Sequence, residues 1–210
     1  MSSDKSGSPP CGIYVRIDDF SNMLDVIGYI RKMAFAINRS SGYKKNMVVV
    51  ELAYSVEVAE RITDIIPVIR DQGFVAIVSG TADPLGADGV LLTNMDEYKA
   101  LRGVLGDDVI IGLVCENMSE AEIAVKHDVD YVVLAADPML IGKFTTLSDV
   151  LCVVQGGNIT NKNCGALARA GAKLVDVGAY ILGHEKGPMQ GAVNILYELE
   201  LAAQVPKNLH

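Results

Sequence analysis

The chain has 210 residues, of which 50% are hydrophobic and 21% are charged, with a mean hydropathy of +0.28. This composition favours one large buried core, and no apolar run resembles a membrane span. The formal net charge of -8 and the pI near 4.8 argue against a basic phosphate-binding face, so we expect no nucleic-acid partner and no membrane partner.

Residues 1–10 are rich in Ser, Gly and Pro and contain no apolar stretch, which predicts a disordered tail rather than a signal peptide. We therefore expect a single folded domain over residues 11–205. The cysteines have neither the CxxC spacing of a metal site nor the density of a disulfide scaffold. This pattern fits a reduced, cytoplasmic compartment.

Hydrophobic periodicity predicts strands that alternate with helices along the chain. The predicted strands cover residues 13–17, 47–52, 74–78, 89–92, 109–114, 131–134, 151–155 and 174–177. The predicted helices cover residues 20–37, 55–71, 96–105, 119–126, 161–170 and 189–203. Most of the strands are near-continuous runs of Val, Ile and Leu, which is typical of parallel strands that are buried on both faces.

Two connections look too weak for a full helix, so we expect eroded third and sixth helices. Residues 81–85 leave room for a single turn, and residues 135–150 contain Pro138, Gly142 and a pair of threonines. Eight parallel strands predict an α/β fold, a compact TIM (β/α)₈ barrel, although such barrels are commonly about 250 residues long. The alternative is an open, doubly wound sheet whose last strands do not close on the first.

Glycines follow the last two predicted strands. Gly156 and Gly157 come directly after the seventh strand, and Gly178 and Ala179 come after the eighth. Glycine lets backbone N–H groups approach an anion closely, and the loops after strands seven and eight often bind phosphate in such barrels. Alternatively, Gly156 and Gly157 only form a tight turn. Asn158 is either a further hydrogen-bond donor or a helix cap.

Several segments within about two thirds of the chain resemble the thiamine phosphate synthase and thiazole tautomerase superfamily. The segments are GADGV at 86–90, LGDDVIIG at 105–112, DYV at 130–132, VVQGGNIT at 153–160 and GA at 171–172. The resemblance implies a TIM barrel, often dimeric, that joins a pyrimidine methyl diphosphate to a thiazole phosphate in thiamine biosynthesis. It also implies magnesium as the cofactor that neutralises the departing diphosphate.

The positions that bind diphosphate and magnesium in this superfamily carry different residues here. The strand-two motif Gln-Leu-Arg-x-Lys is replaced by ELAYS at 51–55, so both positive charges are lost and Glu51 would repel a diphosphate. The Asn-Asp pair after strand three is Ser79-Gly80. Asp96 keeps the second metal position, where it is either a weak magnesium ligand or a helix N-terminal acid.

Three other positions belong to the predicted mouth of the barrel. An ungapped match places Lys143 on the superfamily's basic phosphate-binding lysine, and the alternative is an exposed loop lysine. Cys115 follows the fifth strand without a nearby histidine, which favours a small, partly buried thiol over a nucleophile. Glu116 is either a pocket acid or a solvated carboxylate.

We therefore expect a thiamine phosphate synthase-like barrel that binds a phosphorylated thiazole- or pyrimidine-type molecule and has a degenerate diphosphate and magnesium site. If it is an enzyme, the resemblance implies a transferase. The alternatives are a non-catalytic paralogue that binds a phosphometabolite or a protein, and an enzyme for another phosphate ester with Glu51 or Glu116 as acid or base. The last helix either forms a homodimer face or simply packs on the barrel.

Overall fold

Eight parallel strands close into a barrel in sequence order in the computed structural model, which describes residues 11–40 and 48–204. The strands are β1 (Gly12–Ile17), β2 (Val48–Ala53), β3 (Val75–Ser79), β4 (Gly89–Leu92), β5 (Ile110–Val114), β6 (Tyr131–Ala135), β7 (Leu151–Gln155) and β8 (Leu174–Asp176). Because β8 pairs with β1, the predicted TIM barrel is confirmed and the open sheet is wrong. The predicted N-terminal tail lies outside the described residues.

Helices surround this barrel. Those of the described residues are α1 (Met23–Arg39), α2 (Ala59–Asp71), α3 (Met95–Leu105), α4 (Met118–Lys126), α5 (Pro138–Leu147), α6 (Cys164–Ala170), α7 (Gly178–Leu182) and α8 (Pro188–Gln204). A short 3₁₀ turn, Val56–Val58, precedes α2. None of the described helices combines the length and the apolar character that crossing a bilayer requires.

The two weak connections have different outcomes. The described residues between β3 and β4 contain no helix, which confirms the expectation for the third connection. The expectation of an eroded sixth helix is wrong, because α5 has 10 residues. Pro138 lies in its first turn, where the missing N–H is not needed, and Asp137 caps the helix by accepting a hydrogen bond from the Met139 N–H at 2.8 Å.

Two aspartates, in the GADGV segment at 86–90 and the DYV segment at 130–132, form hydrogen bonds with neighbouring strands at the amino-terminal end of the barrel. Asp88 accepts hydrogen bonds from a backbone N–H of β3 at 2.7 Å and from the Arg70 guanidinium at 2.7 Å. Asp130 accepts one from a backbone N–H of β5 at 2.7 Å and pairs with Arg102. These segments therefore identify the fold rather than the chemistry of the site.

Apolar and aromatic side chains fill the barrel interior. The cluster there contains Tyr14, Ile77, Leu91, Tyr131, Val133, Val153 and Leu174. The ring of Tyr131 lies over Gly112 of the neighbouring strand, and a Cβ atom at Gly112 would come closer than 3.0 Å to three carbons of that ring. Among the described residues, Glu51 is the one charged side chain that is fully buried. It marks the polar end of this interior.

Candidate functional site

Glu51 of β2 organises the polar side chains inside the carboxyl end of the barrel. Its Oε1 accepts a hydrogen bond from Ser79 Oγ at 2.5 Å, and its Oε2 accepts one from Gln155 Nε2 at 2.8 Å. Since β7 is three strands away from β2 around the barrel, this network spans the interior. The Arg16 Nη1 lies 3.8 Å from Oε1, and the Arg16 side chain is 44% exposed.

Two phenol hydroxyls lie buried beneath this network. The hydroxyls of Tyr14 and Tyr131 make no hydrogen bond of ordinary geometry among the described residues, but the two phenols interact with each other and the Tyr14 phenol interacts with Glu51. Burial is the main cause that raises the pKa of both phenols, and the nearby Glu51 charge raises both pKa values further. Both side chains therefore keep an O–H donor at neutral pH. The carboxylate and the two hydroxyls form the floor of the barrel mouth.

Asp176 ends β8 beside the same network. Burial raises the pKa of its carboxyl group and the Glu51 charge adds to the increase, while a hydrogen bond from the Gly178 N–H at 3.1 Å opposes it. A cleft of about 400 Å³ lies between Asp176, the end of β1 and α1. Residues that line the cleft include Arg16, Asp18, Asp19, Asn22, Asp25, Tyr29, Asp176, Ala179 and Leu182.

Gly156 and Gly157 form a left-handed turn at the rim directly after β7. Their φ angles are +82° and +68°, a conformation that L side chains rarely adopt. A Cβ atom at Gly156 would meet nothing within 4 Å, and one at Gly157 would meet only Ala136 at 3.6 Å. Within the described part of the chain, neither amide donates a hydrogen bond. This turn therefore presents two N–H donors at an open rim.

The glycine loop after β8 is arranged differently. The Gly178 N–H donates to the Asp176 carboxylate, and a Cβ atom at Gly178 would lie 2.9 Å from the backbone nitrogen of Arg16. An anion at this amide would therefore have to displace Asp176. Ala179 is exposed in the first turn of α7 and lines the cleft. The two glycine loops therefore differ: the amides of Gly156 and Gly157 are free to bind an anion, whereas the Gly178 amide already donates to Asp176.

Lys143 does not lie with these groups. It is exposed in the middle of α5, a helix that runs away from the rim. Two residues later in α5, the Thr145 hydroxyl donates to the Ala170 carbonyl at 3.2 Å, at the turn that leads into the amino-terminal end of β8. Lys143 therefore lies further from the carboxyl end of the barrel than the Gly156–Gly157 turn does.

The remaining predicted positions surround the mouth without joining the Glu51 network. Asn158 is exposed at the rim, and its carbonyl accepts a hydrogen bond from Asn163 at 2.9 Å. Cys115 is buried directly after β5, and burial raises the pKa of its thiol to about 12, which disfavours a nucleophilic thiolate. Glu116 is exposed beside it.

Asp96 and its surroundings do not fit a resident magnesium ion. Asp96 is exposed in the first turn of α3, and its backbone N–H donates to the Asn94 side chain at 2.8 Å. This is a favourable place for an acid at the positive end of a helix dipole. Ser79 directs its hydroxyl to Glu51, and the adjacent Gly80 offers no ligand. No group of three or more His, Cys, Asp or Glu residues is arranged for a metal within residues 11–40 and 48–204.

Comparison with known proteins identifies the family. No family model matches the chain. A curated thiamine-phosphate synthase from Hyphomonas neptunium (strain ATCC 15444) is 32% identical over 149 residues, which is 61% of this chain and 67% of that protein. The chain belongs to the thiamine phosphate synthase family. The resemblance that the sequence segments indicate is thereby confirmed.

Solved structures place this thiamine phosphate synthase family member among TIM barrels. Thiamine phosphate pyrophosphorylase from Pyrococcus furiosus has a TM-score of 0.75 and 17% identity, with 91% of this chain and 96% of that chain covered. Orotidine 5'-phosphate decarboxylase from Pyrococcus horikoshii OT3 has a TM-score of 0.71 and 16% identity, with 90% and 99% covered. At such low identity the likeness shows the fold alone.

The structure adds five residues to the site of this family member that the sequence did not indicate. They are Tyr14, Arg16, Tyr131, Gln155 and Asp176. Each of them lies two residues from another residue of the same strand that faces the interior, so alternation along the strands was the available signal. That signal was weak, because the strands are apolar on both faces.

Proposed function

We propose that this protein binds a phosphorylated thiazole- or pyrimidine-type small molecule at the carboxyl end of the barrel and acts in thiamine biosynthesis. The observation that carries the proposal is the pair of unpartnered backbone amides in the left-handed Gly156–Gly157 turn. Consecutive N–H groups in such turns form concave anion sites. The name of the curated relative, thiamine-phosphate synthase, supports a thiamine precursor as the ligand.

In this proposal the diphosphate and magnesium part of the site is degenerate. Glu51, Ala53 and Ser55 stand where the family motif has Gln, Arg and Lys. The buried Glu51 carboxylate disfavours a diphosphate nearby, and Ala53 and Ser55 supply no charge. If the protein is an enzyme, it is a transferase of the synthase type with weak stabilisation of the leaving group.

The proposal also includes a cytoplasmic location and a homodimer. Buried thiols at Cys115, Cys152 and Cys164 support a reducing compartment. The outer face of α8 supports a second copy as the partner, because exposed apolar side chains recur there at every fourth residue. They are Met189, Val193, Tyr197 and Leu201.

Gly156→Ala should weaken the binding of hydroxyethylthiazole phosphate at least about tenfold. A side chain at a φ of +82° costs roughly 1–2 kcal/mol, so the turn relaxes and its amides move away from the anion. Isothermal titration calorimetry measures the effect. Unphosphorylated hydroxyethylthiazole should bind much more weakly to the wild-type protein than its phosphate.

Gly86→Ala is the matched control for this substitution. Gly86 also has a φ of +82° with nothing within 4 Å, but it lies between β3 and β4 near the amino-terminal end of β4. Both variants should lose similar stability, and only Gly156→Ala should lose affinity. Equal affinities for the two variants, or equal binding of the two thiazoles, would exclude the Gly156–Gly157 turn as the phosphate site.

A further inference from the structure

We propose that the starts of α3, α4 and α5 form a docking surface for a basic, amphipathic helix of a partner protein. We call this surface the methionine rim, because Met95, Met118 and Met139 stand in the first turns of the three helices. Each helix follows a parallel strand, so all three start at the carboxyl end of the barrel. The rim lies on the outside of that end, and docking there does not require the phosphate site of the proposed function.

The backbone of the methionine rim is held in place by a capping residue at each helix. The side chains of Asn94, Asn117 and Asp137 each accept a hydrogen bond from a backbone N–H of the following turn. Methionine side chains are flexible and polarizable, and they are common on protein surfaces that bind varied partners. The rim therefore combines a fixed backbone with adaptable apolar side chains.

The apolar side chains of the rim are spaced to match one face of a helix. Met139 is 72% exposed, and Met95 and Met118 are half-buried against the outer core. The three helices follow neighbouring strands, and packed helices lie about 8–10 Å apart. Two turns of an α-helix rise about 11 Å. A docked helix with an apolar residue at about every seventh position would therefore contact each methionine in turn.

Acidic residues flank each methionine and indicate the charge of the partner. Residues 93–98, 115–121 and 136–141 include Asp96, Glu97, Glu116, Glu120 and Asp137, and these ranges contain no Lys, Arg or His. The next residue after the first range is Lys99, in the second turn of α3. This charge pattern attracts Lys and Arg side chains beside the apolar face of a helix, and it repels nucleic acid and anionic lipid. A basic protein segment is therefore the occupant that fits.

The methionine rim adjoins the entrance to the proposed phosphate site. Ala136 directly precedes the cap of α5, and its Cβ atom lies 3.6 Å from the position of a Cβ atom on Gly157. A helix docked on Met139 would therefore lie beside the Gly156–Gly157 turn. A partner bound there would control the access of small molecules to the barrel mouth.

A basic helical peptide tests the methionine rim directly. The probe is a synthetic Leu/Lys peptide of about 18 residues, long enough to span the three methionines as a helix. Methionine methyl groups labelled with ¹³C report by NMR where it binds. We expect the largest shifts at Met95, Met118 and Met139, and none at Met23, which starts α1, or at the buried Met33. The same peptide with Glu in place of Lys should bind at least about tenfold more weakly.

Matched variants at the two ends of α5 separate docking from non-specific binding. Met139→Gln removes an exposed apolar side chain from the rim and should weaken binding of the Leu/Lys peptide about fivefold or more. Leu147→Gln makes a similar change at a residue that is 68% exposed at the other end of the same helix, and it should leave the affinity unchanged. Since both side chains are exposed, both variants should fold.

A second pair of variants tests the charge of the rim. Combined Glu97→Gln and Glu116→Gln substitutions should weaken peptide binding about tenfold at low salt. Combined Asp107→Asn and Asp108→Asn substitutions remove the same charge near the amino-terminal end of β5, and they should have no effect.

Equal losses of affinity in Met139→Gln and Leu147→Gln would overturn the proposal. Methyl shifts as large at Met23 as at the rim, or no shift at a saturating peptide concentration, would overturn it as well. Phosphatidylcholine vesicles, titrated into the same labelled protein, should leave the rim methyl groups unshifted. If the vesicles shift them, the surface binds lipid and the proposed protein partner is wrong.

Discussion

Gly112→Ala should lower the free energy of unfolding by about 3 kcal/mol, the upper part of the usual range for an overpacked core. The added methyl group would come closer than 3.0 Å to three ring carbons of Tyr131, which is buried inside the barrel. The ring has little room to move, because it packs in the same cluster as Tyr14 and the inner apolar side chains. Denaturant unfolding followed by circular dichroism measures the loss.

Two comparisons separate this clash from a general effect of replacing glycine. Gly103 lies in α3 with nothing within 4 Å of an added Cβ atom, so Gly103→Ala should stabilise the protein by about 0.5–1 kcal/mol. In a Tyr131→Leu background, Gly112→Ala should cost much less than it does alone. Wild-type stability of the single Gly112→Ala variant would contradict the arrangement of Tyr131 over Gly112.

The second large effect concerns the condensation of pyrimidine methyl diphosphate with thiazole phosphate in the presence of Mg²⁺. We expect a rate at least about 10⁴-fold below that of a synthase with the full Gln-Leu-Arg-x-Lys motif. Removal of one group that stabilises transition-state charge costs about 10²–10³ in rate, and two positive side chains are replaced here by Ala53 and Ser55. Chromatographic detection of thiamine phosphate measures the product.

The curated synthase from Hyphomonas neptunium, assayed beside this protein, is the positive control for the condensation. Addition of a chelator should leave the stability of this protein unchanged, since no group of three or more His, Cys, Asp or Glu residues in the described part of the chain is arranged for a metal. A condensation rate within tenfold of the control would show that the diphosphate and magnesium site is intact.

The barrel was largely predictable because its strands are apolar on both faces. Every predicted strand agrees with the structure to within one residue at each end, from β1 to β8. The sequence underestimates the helix α5, because Pro138, Gly142 and two threonines are residues that usually weaken a helix. In the structure Asp137 caps that helix, and the Thr145 and Thr146 hydroxyls donate to carbonyls of the preceding turn.

The turn after β7 was predictable because its backbone conformation requires a particular residue type. Gly156 and Gly157 are recognisable because only glycine readily adopts the positive φ of this turn. The hydrogen-bonded group of Glu51, Ser79 and Gln155 was not predictable from the sequence. It depends on strand register and on which side chains face the barrel interior. A role for Lys143 in phosphate binding stays a prediction, and the structure shows only that this residue is exposed within α5.

The most direct test is a ¹H–¹⁵N NMR titration of the labelled protein with hydroxyethylthiazole phosphate. The two amides that carry the proposal make no hydrogen bond of their own in the described part of the chain, so an anion should shift their resonances strongly. We expect the largest downfield shifts at the Gly156 and Gly157 amide protons. If these two resonances do not shift at a saturating ligand concentration, the account is contradicted, whether or not other resonances shift.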